Sequence, residues 1–182
     1  MKEITIGQQV WAKKDLKVFR FRNGDEIPIV QDAKAWSNLE TSAMCINPDT
    51  GAVLYNWWAV NDPRGLAPEG WKIPTDADWD ELVQYLGGEH AAGLKMKSEK
   101  WGGTNESKFS ALPNALRYPD GEYLGSFGFH YVEEVGCGWW AKSPPSSLDF
   151  ASLRYLYAHE DYVYQHRYLR QNGFGVRCLL DV

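Results

Sequence analysis

Cysteine, long apolar runs and blocks of one charge are all scarce in this chain. Only three of its 182 residues are cysteines, namely Cys45, Cys137 and Cys178. An odd number at such wide spacing argues against a disulfide framework and against a zinc site. We interpret the three as mostly buried thiols, and a bridge between Cys45 and Cys178 stays open as an alternative.

The apolar runs are too short to cross a bilayer. The longest, Ala52 to Val60, is interrupted by Asn56 and falls far below the roughly 20 residues that a membrane-spanning helix needs. The first residues, Met1 to Thr5, lack the basic start and apolar stretch of a secretory signal. We therefore expect neither membrane insertion nor an export signal in the chain as given.

Charge is spread evenly, with a formal net charge of −5. Nucleic acid and anionic membrane surfaces are therefore not expected as partners. An apolar content of 44% over 182 residues is enough for one globular domain, which we place at residues 1–182. The nine tryptophans predict that its core is rich in aromatic rings.

Short strands joined by turns are predicted in the first third of the chain. Spaced apolar residues at positions 4–11 favour a first strand. Asn23-Gly24, within the largely apolar stretch 18–30, is typical of a hairpin with a two-residue turn. Asp32 can cap a short helix that continues to Leu39.

The clearest helix is predicted to begin after Thr75. Thr75 and Asp78 stand at the spacing of a capping box. An apolar face follows at helical spacing, and Gly87-Gly88 ends the helix. The residues of that face are Trp79, Leu82, Val83 and Leu86. From Trp101 to Asp120 the chain is rich in glycine, asparagine and serine, which indicates a long, structured loop region.

Residues 152–172 stand out by composition, because they hold five of the ten tyrosines and two of the four histidines. Tyrosine combined with histidine, arginine and aspartate is typical of a recognition surface. An amphipathic strand pair with half-buried tyrosines explains the pattern equally well. Strand alternation predicts that Tyr155 and Tyr157 share a face opposite Arg154 and Leu156. Likewise, Tyr162, Tyr164, His166 and Tyr168 should lie opposite Val163.

Neither the acidic residues nor the histidines predict a metal site. Asp76, Asp78 and Asp80 resemble the opening of a calcium loop, but Glu81 stands where that loop needs a glycine. We interpret them instead as a solvated first helical turn, favoured by the helix dipole. The histidines are dispersed, at His90, His130, His159 and His166. We therefore predict no catalytic residue, no metal ligand and no cofactor.

Short motifs recur in a fixed order along nearly the whole chain. They are Ile6-Gly7 with Gln9-Val10-Trp11, Phe21-Arg22-Asn23-Gly24-Asp25 with Ile27-Pro28, Leu54-Tyr55-Asn56-Trp57, Gly70-Trp71 with Pro74-Thr75-Asp76, Phe109-Ser110-Ala111-Leu112-Pro113, Trp139-Trp140, and Gly173-Phe174 with Val176-Arg177-Cys178. Together they resemble the Fibrobacter succinogenes major paralogous domain, a bacterial and phage family related to formylglycine-generating enzymes. Two places depart from that pattern. Asn114-Ala115 stands where two glycines are usual, and Ala141-Lys142 replaces the usual serines.

The resemblance implies an α+β, C-type-lectin-like fold in one domain. Its N- and C-terminal strands would pair, two helices would flank the sheet, and a long loop-rich insertion would carry ligand contacts. On this basis Ile4 to Val10 should pair with Val176 to Leu180. We also expect five aromatic side chains to be buried, namely Trp11, Trp57, Trp71, Trp79 and Phe174.

The resemblance also implies sequence variation at the C-terminal end. Members of this family are frequent targets of diversity-generating retroelements, which rewrite a segment that ends just before the final strand. In this chain the candidate segment is 152–172, with Arg154, Leu156, Val163 and 173–178 as fixed scaffold. Ala158 and Asn172 also stand at candidate variable positions. The candidate ligand contacts are Trp140, Tyr155, Tyr157, His159, Asp161, Tyr162, Tyr164, His166 and Tyr168.

A non-catalytic recognition domain is the function that the resemblance implies. It would act in a phage receptor-binding or surface-display protein, on a virion or bacterial cell surface, bind a cell-surface protein or glycan, and be able to trimerise. One alternative is a fixed-specificity carbohydrate-binding or adhesin domain of a Bacteroidota-like cell envelope. Another is a cryptic oxidoreductase, but the enzyme relatives hold copper with two nearby cysteines. Here Cys178 has only the distant Cys137 in the second half of the chain, so copper is not expected.

Overall fold

The computed structural model describes residues 1–124, 136–144 and 149–181, and they form a mixed α+β protein with antiparallel sheets. The first sheet has the strand order β1 (Glu3–Ile6), β2 (Gln9–Ala12), β9 (Leu179–Leu180) and β5 (Trp71–Lys72). The second pairs β3 (Met44–Ile46) with β4 (Val53–Tyr55). The third has the order β6 (Gly136–Trp140), β7 (Phe150–Tyr157) and β8 (Tyr164–Leu169).

Short capped helices connect these strands. They are α1 (Ala33–Ser37), α2 (Trp57–Val60), α3 (Asp76–Tyr85) and α4 (Glu89–Met96), followed by a single 3-10 turn at Glu99–Trp101. Asp32 caps α1 as predicted, since its Oδ1 accepts the Ala35 amide at 2.7 Å. The capping box of Thr75 and Asp78 is confirmed at the start of α3. The sequence did not predict α4, which begins directly after the glycine pair that ends α3.

Pairing between the two ends of the chain is confirmed, but its register differs from the prediction. Residues 4–11 do not form one strand, because Gly7 turns the chain at a φ of 63° and closes the β1–β2 hairpin. The C-terminal partner is therefore β2, with Trp11 opposite Leu179. The pairing continues beyond β2, where the Leu16 amide donates to the Val176 carbonyl at 2.8 Å.

The predicted hairpin at residues 18–30 is confirmed next to its turn, where the Ile27 amide donates to the Phe19 carbonyl at 2.9 Å, but it does not extend to Val30. Phe21 and Asp25 close a tight loop at Gly24, and one isolated bridge joins Arg20 to Glu26. The chain then leaves its partner, because the Val30 amide donates to the Met44 carbonyl at 2.9 Å. Residues 28–30 thus pair with the start of β3 instead of with residues 18–20.

The loop-rich stretch predicted at 101–120 is present between the 3-10 turn and the third sheet. Ala115 there has a φ of 61°, in the left-handed region that favours glycine. The resemblance implies a glycine at this position, and the observed φ is one that suits glycine better than alanine. Arg117, 0% exposed, donates from its guanidinium to the carbonyls of Val30 and Gln31 and anchors the stretch.

Two clusters of the core contain residues from opposite faces of the third sheet, and a third surrounds Trp36 of α1. The five aromatic residues predicted to be buried are buried, with exposures between 0% and 7%. Trp139 and Trp140 point to opposite sides and enter different clusters. The three cysteines are free, and each lies in a different hydrophobic cluster, so the bridge between Cys45 and Cys178 is not formed.

Candidate functional site

The third sheet carries most of the candidate ligand contacts, and its register decides which side chains share a face. Tyr155 on β7 lies opposite Tyr164 on β8, and Leu153 lies opposite His166. Arg154 lies opposite Gln165 on the other face. The period-two separation predicted for Tyr155 and Tyr157 against Arg154 is therefore confirmed.

Five ring-bearing side chains, which we call the aromatic row, lie at the end of β7, in the loop that follows and along β8. They are Tyr157, Tyr162, Tyr164, His166 and Tyr168, and all five are half-buried. Neighbouring rings are in contact, with centroids 4.5 Å apart for Tyr162 and Tyr164 and 5.3 Å apart for Tyr164 and His166. The last pair is stacked, at an interplanar angle of 6°. The row ends where Tyr168 meets the buried ring of Phe174 at 5.2 Å.

Two of the predicted contacts, Trp140 and Tyr155, lie in the core instead, with exposures of 0% and 2%. Trp140 donates its indole N–H to the Tyr55 carbonyl at 2.8 Å. The ring of Tyr155 fills the space left by Gly138, where a Cβ would come within 2.8 Å of it. These two residues pack in the core beneath the aromatic row and are not part of the surface.

The opposite face of the sheet is fixed to α3 by the buried charge of Arg154 and by the stacking of Trp139 on Trp79 of α3. Arg154, with 2% of its side chain exposed, contacts Asp76 at 2.6 Å and Asp80 at 2.5 Å. The Ser152 hydroxyl also donates to the Asp76 carboxylate, at 2.7 Å. Burial opposes ionisation of Asp76, but these hydrogen bonds and the Arg154 charge lower its pKa overall.

These contacts correct the view of Asp76 and Asp78 as solvated, whereas the Asp80 side chain is 63% exposed although it contacts Arg154. Asp76 and Asp80 bind Arg154, whereas Asp78 closes the capping box and contacts Lys72 at 3.0 Å. All three carboxylates therefore hold the fold together. In the described part of the chain, no three His, Cys, Asp or Glu side chains form a group that could hold a metal ion. His130 lies outside the described residues.

The loop between β7 and β8, residues 158–163, is held by helix α4 through main-chain atoms. The Gly93 amide donates to the Asp161 carbonyl at 3.0 Å, and the Val163 amide donates to the Glu89 carbonyl at 2.9 Å. Gly93 lies so close that a Cβ there would meet the Asp161 oxygen at 2.4 Å. Only glycine permits this approach of helix and loop.

A buried lysine completes the attachment of this loop. The Lys97 ammonium donates to the carbonyl of Ala158 at 3.1 Å and to the carbonyl of Glu160. Its side chain is only 2% exposed, and burial lowers its pKa despite the nearby carboxylate of Asp161 at 4.0 Å. Lys97 therefore stabilises the loop through hydrogen bonds to its backbone.

His159 and Asp161 project from this loop and are exposed, whereas Tyr162 packs its ring on His90 at 4.8 Å. His166 sits inside the aromatic row, with its Nε2 3.2 Å from the Tyr157 hydroxyl. Burial lowers the pKa of His166, so its ring is neutral at neutral pH. The structure thus brings five of the nine predicted contacts together in the aromatic row, and His159 and Asp161 lie on the exposed loop that joins β7 and β8.

Sequence reasoning missed the residues that hold the loop, namely Glu89, Gly93 and Lys97. Glu89 is an acidic residue directly after a glycine pair, and this pattern can indicate the first turn of a new helix. No sequence pattern indicated that this helix reaches a loop so much later in the chain.

The α+β fold class and the fixed order of the motifs together indicate one protein family. The chain belongs to the Fibrobacter succinogenes major domain family, whose model matches residues 4–179. No curated protein and no solved structure shows significant similarity to it. No helix in the described ranges is long and apolar enough to span a membrane.

Proposed function

We propose that this chain is a non-catalytic recognition domain with a C-type-lectin-like fold, which binds its ligand through the aromatic row and the 158–163 loop. We further propose that residues 152–172 are diversified by a retroelement, in a phage receptor-binding or bacterial surface-display protein. The ligand would be a protein or glycan on a cell surface. Fixed specificity is the alternative for the same surface.

The separation of fixed from variable positions by burial carries this proposal. The scaffold positions Arg154, Leu156 and Val163 are between 0% and 4% exposed, and residues 173–178 are all buried. The remaining candidate variable positions are half-buried or exposed, with two exceptions. Those that reach the surface are Tyr157, Ala158, His159, Asp161, Tyr162, Tyr164, His166 and Tyr168. Tyr155 and Asn172, at 2% each, are the exceptions, and we expect little variation at either.

The chemistry of the surface suits recognition. Tyrosine rings give large contact areas with a polar tip and lose little conformational freedom on binding. The cysteines suit catalysis poorly, because burial raises the pKa of all three thiols, that of Cys178 to about 12. Such thiols stay protonated and are weak nucleophiles and weak metal ligands.

Sequencing the DNA around the gene tests the diversification. We expect a near-copy of the coding segment for residues 152–172, with differences confined to adenines of the copy, beside a reverse transcriptase gene. The differences should fall on codons for surface positions and spare those for Arg154, Leu156 and Val163. A neighbourhood without such a copy would contradict diversification and leave fixed specificity.

A binding measurement tests the surface itself. Labelled protein is titrated onto intact cells of the bacterium that carries the gene and of bacteria from its habitat. Replacing Tyr157, Tyr162 and Tyr164 together by serine should weaken binding at least 100-fold, because aromatic anchors contribute about 2 kcal/mol or more each. Tyr85→Ser is the matched control, since Tyr85 is 65% exposed and lies on α3. Equal binding by both variants would show that the aromatic row is not the contact surface.

A further inference from the structure

A second candidate binding site lies away from the aromatic row, beside helix α2. It is a cavity of about 470 Å³ lined by residues of α2, the loop that follows it and the residues before β3. Its volume falls within the range of small-ligand sites. Trp58 lines this cavity and is half-buried, whereas the neighbouring Trp57 is buried at 2%.

One wall of the cavity is rigid and polar. Asp62, only 8% exposed, accepts hydrogen bonds from the Ser42 hydroxyl at 2.5 Å and from the Arg64 guanidinium at 2.8 Å. Its second oxygen accepts from the Arg64 amide at 3.0 Å. The Arg64 guanidinium in turn lies 4.1 Å from the ring centroid of Phe21. A wall held in this way loses little freedom when a ligand binds.

Three further polar side chains of the cavity have no hydrogen-bond partner among the described residues. Within the described residues, the Trp58 indole N–H, the side-chain amide of Asn61 and the Thr41 hydroxyl make no hydrogen bond to protein. They offer both donors and acceptors beside a partly exposed indole ring. An apolar ring face flanked by planar polar side chains matches a sugar ring, which has C–H groups on its faces and hydroxyls around its edge.

The charge balance of the cavity favours a neutral ligand. Its charged side chains are Glu26, Asp62, Arg64 and Arg170, two of each sign. By contrast, a separate groove on the molecule carries Lys13, Lys14, Lys17 and Arg177 against Asp15 and would attract anions. An acidic ligand would therefore gain no electrostatic advantage at the Trp58 cavity.

A second depression of about 450 Å³ adjoins the cavity and shares the lining residues Glu26 and Pro28 with it. This depression is lined by Phe19 and Ile29, which are 46% and 52% exposed. An aromatic ring thus stands in each of two adjoining depressions. We propose that this groove binds a neutral oligosaccharide, with Trp58 and Phe19 each stacking on a sugar ring and Asn61 and Thr41 bonding its hydroxyls.

The test follows the tryptophan indole N–H signals of the ¹⁵N-labelled chain by NMR, with the Trp58 signal assigned from Trp58→Phe. The probes are linear tetrasaccharides of glucose, mannose, galactose and N-acetylglucosamine, together with acidic tetragalacturonate. At least one neutral probe should shift the Trp58 signal with a dissociation constant of about 1 mM or below. No shift with any neutral probe, or a shift with tetragalacturonate alone, would overturn the proposal.

Two variants locate the binding. Trp58→Ala, followed through the indole signal of Trp57, which also lines the cavity, and Asn61→Ala should each weaken it, by about tenfold or more for the tryptophan. Asn61 is exposed, so its variant keeps the test valid if loss of Trp58 perturbs the fold. The triple serine variant of Tyr157, Tyr162 and Tyr164 should bind the saccharide unchanged. Binding lost in that variant and kept in Trp58→Ala and Asn61→Ala would overturn the cavity site while supporting the aromatic row.

Discussion

The two faces of the third sheet use the same strands but are held in different ways. On the face toward α3, the stacking of Trp139 on Trp79 is joined by an ionic contact, in which the buried Arg154 meets two carboxylates. On the other face, contacts between rings replace ionic ones, from Tyr155 in the core to Tyr164 near the surface. Buried ion pairs demand particular partners, whereas ring contacts depend mainly on shape and area. The contrast suggests that the charged face fixes the sheet and leaves the aromatic face open to change.

The cross-strand pair of Tyr155 and Tyr164 gives the largest expected effect. Tyr155→Ser removes a buried ring over Gly138 and should lower the free energy of unfolding by about 3 kcal/mol or more. Tyr164→Ser, on the same face but half-buried, should cost about 1 kcal/mol. Urea denaturation measures both values. Equal losses would mean that the outer rings belong to the core, and the contrast between the faces would fail.

Arg154→Met sharpens the comparison from the charged side. It leaves Asp76 partly buried without its cation, and we expect a loss of about 2–3 kcal/mol. Arg167→Met is the control. Arg167 lies on β8, on the same face of the sheet as Arg154, but it is exposed, so its replacement should cost about 0.5 kcal/mol or less. Buried ion pairs can sometimes be replaced by apolar side chains without loss. An Arg154→Met variant with an unchanged free energy of unfolding would therefore show that charge does not fix this face.

The smallest expected effect is a pH dependence at Asp76. Its pKa in the folded protein lies below the ordinary value of 3.8, so its contribution to stability is complete above about pH 4 and is lost as the pH falls through the folded pKa. Asp76→Asn should cost about 1 kcal/mol at neutral pH and flatten the decline in stability at acid pH. The exposed Asp49→Asn is the control for urea titrations at several pH values. An unchanged acid decline in Asp76→Asn would exclude this linkage.

Local signals in the sequence predicted the local structure well. The capping residues Asp32 and Thr75 start helices as expected, and alternation assigned Tyr155 and Arg154 to the correct faces. Alternation gives the face of a side chain but not its depth. Tyr155 is buried because a glycine lies opposite it on β6, and that pairing depends on a register that the sequence alone does not define.

Long-range contacts explain the remaining differences. Residues 28–30 left their expected hairpin because Met44 supplies a competing strand. Lys97 has no feature in sequence that sets it apart from the solvated lysines around it. Its role follows only from the burial of its ammonium among the loop carbonyls.

The attachment of the 158–163 loop has a consequence for protein engineering. Helix α4 and Lys97 form hydrogen bonds with this loop, at the carbonyls of Ala158, Glu160 and Asp161 and at the amide of Val163. Every residue type has a backbone carbonyl, so these hydrogen bonds do not depend on which side chains the loop carries. A combinatorial library at positions 158–162 could therefore exchange the displayed chemistry while the anchor stays the same, provided that Gly93 is left untouched.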